Sequence, residues 1–139
     1  MRILMGAASL AGAMALAGAA HADPCEAPVR DFTAGDSFSG VVRYVGDGDS
    51  LCVGRTTDPA DWIEVRLGDF DAPEVASPQG EYAKSLLEAV AMGRSVQCVA
   101  GGSRGGRVVS YDRVVAICRV GGSTLGAQLK ARGAPQGGR

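Results

Sequence analysis

Histidine is all but absent from this chain: its one histidine, His21, lies in an N-terminal stretch that reads as a removable leader. Residues 23–139 therefore offer no imidazole for general acid–base work, for a nucleophile–histidine pair or for metal ligation. Aromatic residues make up 5% of the sequence, too few to build a platform on which bases stack. Cys-x-x-Cys spacing is missing, which removes the usual zinc frameworks. Beyond the first residues no long apolar run occurs, so no further membrane span is expected. Neither sign of charge prevails: 14 Lys and Arg oppose 15 Asp and Glu, a net charge of −1. Such a balance argues against strong non-specific binding to a duplex.

What is present begins with the leader. Met1-Arg2 is a short basic start, the segment from Ile3 to Ala20 is apolar and rich in small residues, and Ala20-His21-Ala22 is an A-x-A cleavage signal. A transmembrane anchor is the competing reading, and the Ala- and Gly-rich run ending in a processing signal disfavours it. The expected organisation is a signal peptide over 1–22, an N-terminal arm over 23–37, one domain over 38–133 and a flexible tail over 134–139. The expected product is periplasmic or secreted. Nothing signals an oligomer, and a monomer is expected. All four cysteines, Cys25, Cys52, Cys98 and Cys118, fall after the leader, and an even count in an exported domain reads as two disulfides. Of the three connectivities, Cys98–Cys118 is favoured because both lie on apolar strands joined by a hairpin-like connection. That leaves Cys25–Cys52, tying the arm to the first hairpin. Each bridge stabilises by roughly 2–4 kcal/mol, mainly through the unfolded chain.

Alternation predicts strands over 38–45 and 62–67, and further strands are read over 50–53, 95–99 and 113–120, with residues 107–110 extending the last hairpin. Asp47-Gly48 is a hairpin signal between the first two. Ser77-Pro78 reads as an N-cap and first helical residue, opening a helix that buries Tyr82, Leu86, Leu87, Val90 and Ala91 and stops at Gly93. Ser123 is read as the cap of a second, short helix through Leu125, Leu129 and Lys130, ending at Gly133. The pattern by itself supports an α+β chain, mainly β, with a mostly antiparallel sheet.

Charge is divided along the chain. Residues 23–90 carry 14 acidic and 5 basic side chains, whereas residues 91–139 carry 1 acidic and 8 basic. Three blocks concentrate the chemistry: Gly46-Asp47-Gly48-Asp49-Ser50, the run from Arg66 through Asp71, Ala72 and Pro73 to Glu74, and Tyr111-Asp112-Arg113. Carboxylates hold a hard cation such as Ca²⁺ through oxygen, and guanidiniums grip phosphate and stabilise charge in a transition state. Asp49, Asp71, Glu74, Arg66 and Arg113 thus match what metal-assisted cleavage of a phosphodiester needs.

The three blocks, in this order and at these distances, resemble the thermonuclease, or staphylococcal-nuclease-like, family over about residues 39–133. The resemblance implies a five-stranded barrel of the OB type with packed helices and Ca²⁺-dependent endonuclease activity on DNA, RNA or both, without base-specific readout. It implies that Asp49 and Asp71 bind Ca²⁺ with the backbone carbonyl of Ala72. It further implies that Glu74 positions or deprotonates the attacking water, that Arg66 and Arg113 hold the scissile phosphate, and that Tyr111 lies near the nucleotide phosphate. Simple packing competes for Tyr111, and a turn-forming role is favoured for Asp47. Lys84 reads as a solvated helix charge and Trp62 as a core or barrel-rim residue. The chain departs from the family at Ala72, where Thr is frequent. It departs again at Asp112, where Gly is usual and where a carboxylate is expected to weaken phosphate binding or to bond Arg113 in place. Two helices are expected, since the sequence stops soon after Gly133 where many relatives continue into a third. Two other readings stay open: a module of the same shape that binds nucleic acid or another anion without turnover, and a secreted structural or interaction domain.

Overall fold

Ser37–Asp47 (β1), Ser50–Gly54 (β2), whose five residues are all buried, and Ile63–Leu67 (β3), where Val65 and Leu67 alternate with outward-facing residues, form an antiparallel meander. The computed structural model describes Gly12 and residues 23–137; the rest of the expected leader and the last two residues of the tail lie outside the described residues. β1 is the long strand at 11 residues, and two register irregularities, between Val42 and Tyr44 and between Val45 and Asp47, let it bend. Its first half pairs with Ser95–Ala100 (β4) and its second half with β2. β4 then pairs antiparallel with Arg113–Val120 (β6), and β6 runs parallel to β3, with Val65 opposite Val114 and Leu67 opposite Ala116. That last pairing closes the sheet. The result is a five-stranded barrel of the OB type in the order β1-β2-β3-β6-β4, as expected.

Two short strands, Val109–Ser110 (β5) and Ser123–Thr124 (β7), add to the edges of β6. Residues 107–110 thus contribute a strand only at their end. Residues read as a polar loop after β2 include a short 3-10 turn, Pro59–Asp61.

The barrel interior is Val- and Leu-rich: Val42, Val45, Leu51, Val65, Leu67 and Val114 are each at most 2% exposed. Helix α1, Pro78–Ala91, packs on β1, and helix α2, Leu125–Ala131, packs on α1 and β6. α1 starts as expected: the Ser77 hydroxyl accepts from the Gly80 N–H at 3.0 Å and Pro78 takes the first turn. Gly93 follows its end with φ +73°, a conformation glycine adopts without strain. The buried stripe is Gly80, Ala83, Leu87, Val90 and Ala91, and Tyr82, expected to be buried, is exposed. Small residues at 80 and 83 let loop and hairpin backbone approach the helix, which rotates Tyr82 outward. The cap of α2 is Thr124, whose Oγ1 accepts from the Ala127 N–H at 3.0 Å; Ser123, expected there, lies in β7.

Both expected disulfides are present. Cys98 and Cys118 face each other across β4 and β6 with Cα atoms 4.1 Å apart, and Cys25–Cys52 spans 5.7 Å between the arm and β2. The arm is irregular, as expected, and is also held by Glu26 and Ala27 N–H bonds to Pro59 and Trp62 carbonyls. Two disulfides fit an oxidising compartment, and among the described residues no helix is long and apolar enough to cross a membrane. Residues 134–137, expected to fray, instead turn back onto the domain. Ala134 is buried and donates to the Leu129 carbonyl, and the Gly137 N–H donates to the Asp71 carbonyl at 2.8 Å.

Candidate active site

The β1–β2 hairpin carries Asp47 and Asp49 to the rim of the barrel. Gly48 between them has no room for a side chain: a Cβ there would stand 2.6 Å from the Ala83 Cβ on α1 and 2.7 Å from the Ala72 Cβ. Glycine thus seats the hairpin against both the helix and the loop after β3. Ala72 is part of that tight contact.

On β3, Val65 and Leu67 point into the core, so Arg66 points out. Its guanidinium organises the following loop. Nη1 donates to the Leu67 and Phe70 carbonyls at 2.6 and 2.8 Å. Nη2 donates to Asp71 Oδ1 at 2.5 Å and lies 3.1 Å from Asp49 Oδ2. Asp49 Oδ2 also accepts the Ala72 N–H at 2.7 Å. The two carboxylates named as metal ligands therefore converge from separate segments on one guanidinium, with Ala72 bonded to one of them. Asp49 is 6% exposed, whereas Asp71 is open to solvent.

Asp47 is more than a turn former. It does form the turn, accepting the Asp49 N–H at 3.0 Å, but its carboxyl also meets that of Asp49. Burial first, then the hydrogen bond and like charge of Asp47, push the Asp49 carboxyl up to about 7; Ala72 and Arg66 pull against this without prevailing. Burial works to raise Asp47 too, but hydrogen bonds with Asp49 and Ser50 and the charge of Arg66 hold it below the usual range.

Glu74 sits where α1 begins. Its carbonyl accepts from the Ser77 N–H at 3.0 Å and the Ser77 hydroxyl at 2.7 Å, and it presses on Gly80, where any Cβ would run into that carbonyl. Inside a helix, replacing Gly with Ala ordinarily stabilises by about 1 kcal/mol. Gly80→Ala is expected to do the reverse, destabilising by roughly 1–3 kcal/mol by overpacking and displacing Glu74. Thermal melts read the sign, and an increase in melting temperature would contradict this packing.

One open cleft of about 1000 Å³ gathers these groups: Asp49, Arg66, Asp71 and Glu74 line it together with Tyr111 and Arg113. The β5–β6 turn puts Tyr111 at φ +60°, an unusual conformation for a bulky residue, and leaves it 91% exposed on the cleft lip. Packing is therefore not its role. Lys84 pairs with Glu88 at 3.9 Å on the helix surface. Trp62 covers Gly54 at the barrel rim and donates Nε1–H to the Thr56 carbonyl at 2.9 Å, so both residues stand as read from the sequence.

Asp112 does not ion-pair with Arg113. It groups with Asp23 from the arm and Glu64 on β3, their carboxylate atoms within 4.8 Å of one another. Sequence reading passed over Glu64; the signal was that it shares the outer face of β3 with Arg66, two residues on. Burial first, then a hydrogen bond and like charge from Asp23 and the charge of Asp112, push Glu64 up to about 8 against the pull of Arg113. The folded protein thus keeps a proton that the unfolded chain loses near 4.5. This contribution to stability is complete below that value and is lost as pH rises to about 8. Asp49 acts with the same sign between 3.8 and about 7. Without added metal, the melting temperature is expected to fall between about pH 5 and about pH 8. Glu64→Gln should flatten the upper part of that fall, and an unaltered profile would contradict the assignment.

The donor set suits a hard cation. Its ligand atoms are all oxygen, and burial first, then the hydrogen bond and like charge of Asp47, favour a proton on Asp49, the situation a bound cation relieves. Among the described residues, however, the groupings with three ligand atoms within 4.8 Å are Asp23–Glu64–Asp112 and Asp23–Cys25–Cys52, and neither contains Asp49 or Asp71. The sulfurs of the second are held in the disulfide. Asp49 and Asp71 would thus share a cation with backbone carbonyl and water rather than with a third carboxylate. No family model matches the chain, and no curated protein matches it.

Proposed function

We propose that this cleft is the active site of an exported, Ca²⁺-dependent phosphodiesterase that cleaves DNA, RNA or both without strong sequence preference. The observation that carries the reading is the convergence of Asp49 and Asp71 on Arg66, in a cleft that Glu74 and Arg113 also line. Asp49, Asp71 and the carbonyl of Ala72 would hold the cation. The chemistry Ca²⁺ supplies when bound is polarisation of a phosphoryl oxygen. Arg66 and Arg113 bind the phosphate, and their guanidiniums stabilise the charge that grows on it. Glu74 orients the attacking water and accepts its proton at a carboxylate oxygen. Tyr111, on the lip, contacts the strand beside the cut. The disulfides fit release into the periplasm or the medium.

The experiment is cleavage of single-stranded DNA and of RNA by the oxidised protein, with Ca²⁺ and with a chelator. The expected result is cleavage with Ca²⁺ alone, leaving 5′-hydroxyl and 3′-phosphate ends. A second reading, an anion-binding module without turnover, is favoured by one observation: no third carboxylate joins Asp49 and Asp71 within 4.8 Å among the described residues. Binding of the same strands with no cleavage in Ca²⁺ would select it.

A further inference from the structure

Five cations line the cleft beside five carboxylates, and of these cations only Arg66 ion-pairs with a carboxylate among the described residues. Arg104 and Arg107 line it from the loop between β4 and β5, and Lys130 lines it from the last turn of α2. All three are exposed. Among the described residues no carboxylate lies within ion-pairing distance of them; the ion pairs there join Arg66 to Asp49 and Asp71, and Lys84 to Glu88. Arg66 thus has carboxylate partners, whereas these three cations have none among the described residues.

The loop that carries the two arginines is anchored. The Gly101 N–H donates to the Val115 carbonyl at 2.7 Å, and the Val115 N–H donates to the Val108 carbonyl at 2.8 Å. Between these anchors, the Gly106 N–H closes a turn on the Ser103 carbonyl at 3.1 Å, so Arg104 sits on the turn and Arg107 just after it. Gly106 has φ +69°, which a residue with a side chain adopts only with strain. The cleft's volume, about 1000 Å³, equals that of the largest small-molecule pockets, yet its lining is charged where such pockets are apolar. A single diester that engages Arg66 and Arg113 leaves Arg104, Arg107 and Lys130 without a phosphate. A strand with successive phosphates answers them.

We propose that Arg104, Arg107 and Lys130 form a track for the phosphates that flank the one being cut. The inference rests on the reading that the cleft takes phosphodiesters. Arginine offers each phosphate a planar fork and lysine a point charge. Such contacts position the strand and read no base.

The test is fluorescence anisotropy with a labelled single-stranded oligodeoxynucleotide long enough to cross the cleft, and with a labelled dinucleotide, in chelator over a series of salt concentrations. Each phosphate contact to a single strand contributes about 0.7 to the slope of log affinity against log salt. The Arg104→Ala/Arg107→Ala/Lys130→Ala variant should therefore lose about 2 from the slope for the long strand. Its affinity should drop about tenfold or more, with little change for the dinucleotide. A charge-matched variant, Arg94→Ala/Arg119→Ala/Arg132→Ala, removes cations that do not line the cleft and should keep the wild-type slope. An unchanged slope in the first variant, an equal loss in the second, or no binding by the wild type would overturn the proposal. Cleavage in Ca²⁺ is followed in parallel. A slope difference without cleavage removes the catalytic reading and leaves the track; cleavage without a slope difference removes the track and leaves the catalytic reading.

Discussion

Replacing Glu74 with Gln is expected to lower turnover on single-stranded DNA by about 10²–10⁴-fold, the usual contribution of a positioned general base. Ca²⁺ should still raise the melting temperature of the variant, because the proposed cation ligands lie on other residues. The case for so large an effect is positional. The backbone of Glu74 is pinned by Ser77 and by Gly80, so its side chain projects from a fixed point on the cleft wall. Asp71 precedes it by three residues in a loop that Arg66 holds through two carbonyls. The proposed water-positioning carboxylate and the proposed cation ligand are therefore parts of one anchored segment. The Gln substitution keeps shape and removes the proton acceptor. Wild-type turnover in this variant would take Glu74 out of the mechanism.

Asp49→Asn is expected to abolish the Ca²⁺-dependent rise in stability and to cut cleavage at fixed Ca²⁺ by at least about 100-fold, through lost cation charge compensation. The fold should survive. The amide oxygen can still accept the Ala72 N–H, and the substitution removes the carboxyl that burial first, then the hydrogen bond and like charge of Asp47, push up to about 7. The same variant should also lose the part of the pH-dependent melting that runs from 3.8 to about 7. Thermal melts with and without Ca²⁺, across pH, measure both effects. A variant that still responds to Ca²⁺ as the wild type does would move the cation site elsewhere.

How much of this was legible in the chain depends on the range of the signal. Period-2 alternation marked β3, and Ser77-Pro78 and Gly93 marked the ends of α1, because those signals are local. The cysteine pairing was readable because Cys98 and Cys118 lie on neighbouring strands of the expected hairpin-like connection. That Asp49, Arg66, Asp71, Glu74, Tyr111 and Arg113 line one cleft was foreseeable because they lie in three compact blocks. What escaped was set by closure of the barrel. The parallel β3–β6 pairing brings the start of β6 beside β3, and the arm, tied by Cys25–Cys52, adds Asp23 to Glu64 and Asp112. No periodicity encodes that meeting. The return of residues 134–137 onto Asp71 escaped for the same reason: a Gly- and Pro-containing tail reads as loose until the groove that receives it exists. Tyr82 was misplaced because an apolar side chain was preferred over Gly80 and Ala83, whose small size is what brings the site loop and the hairpin close to α1.

The most direct test of the central claim is a Ca²⁺ titration of the oxidised protein in which melting temperature and cleavage of single-stranded DNA are followed together. If Asp49 and Asp71 hold the cation used in cleavage, stability and rate rise in parallel and reach half their final values at the same Ca²⁺ concentration, since a ligand that binds the native state stabilises it by mass action. Stability that rises with no cleavage at any Ca²⁺ concentration, or cleavage that persists in chelator, would contradict it.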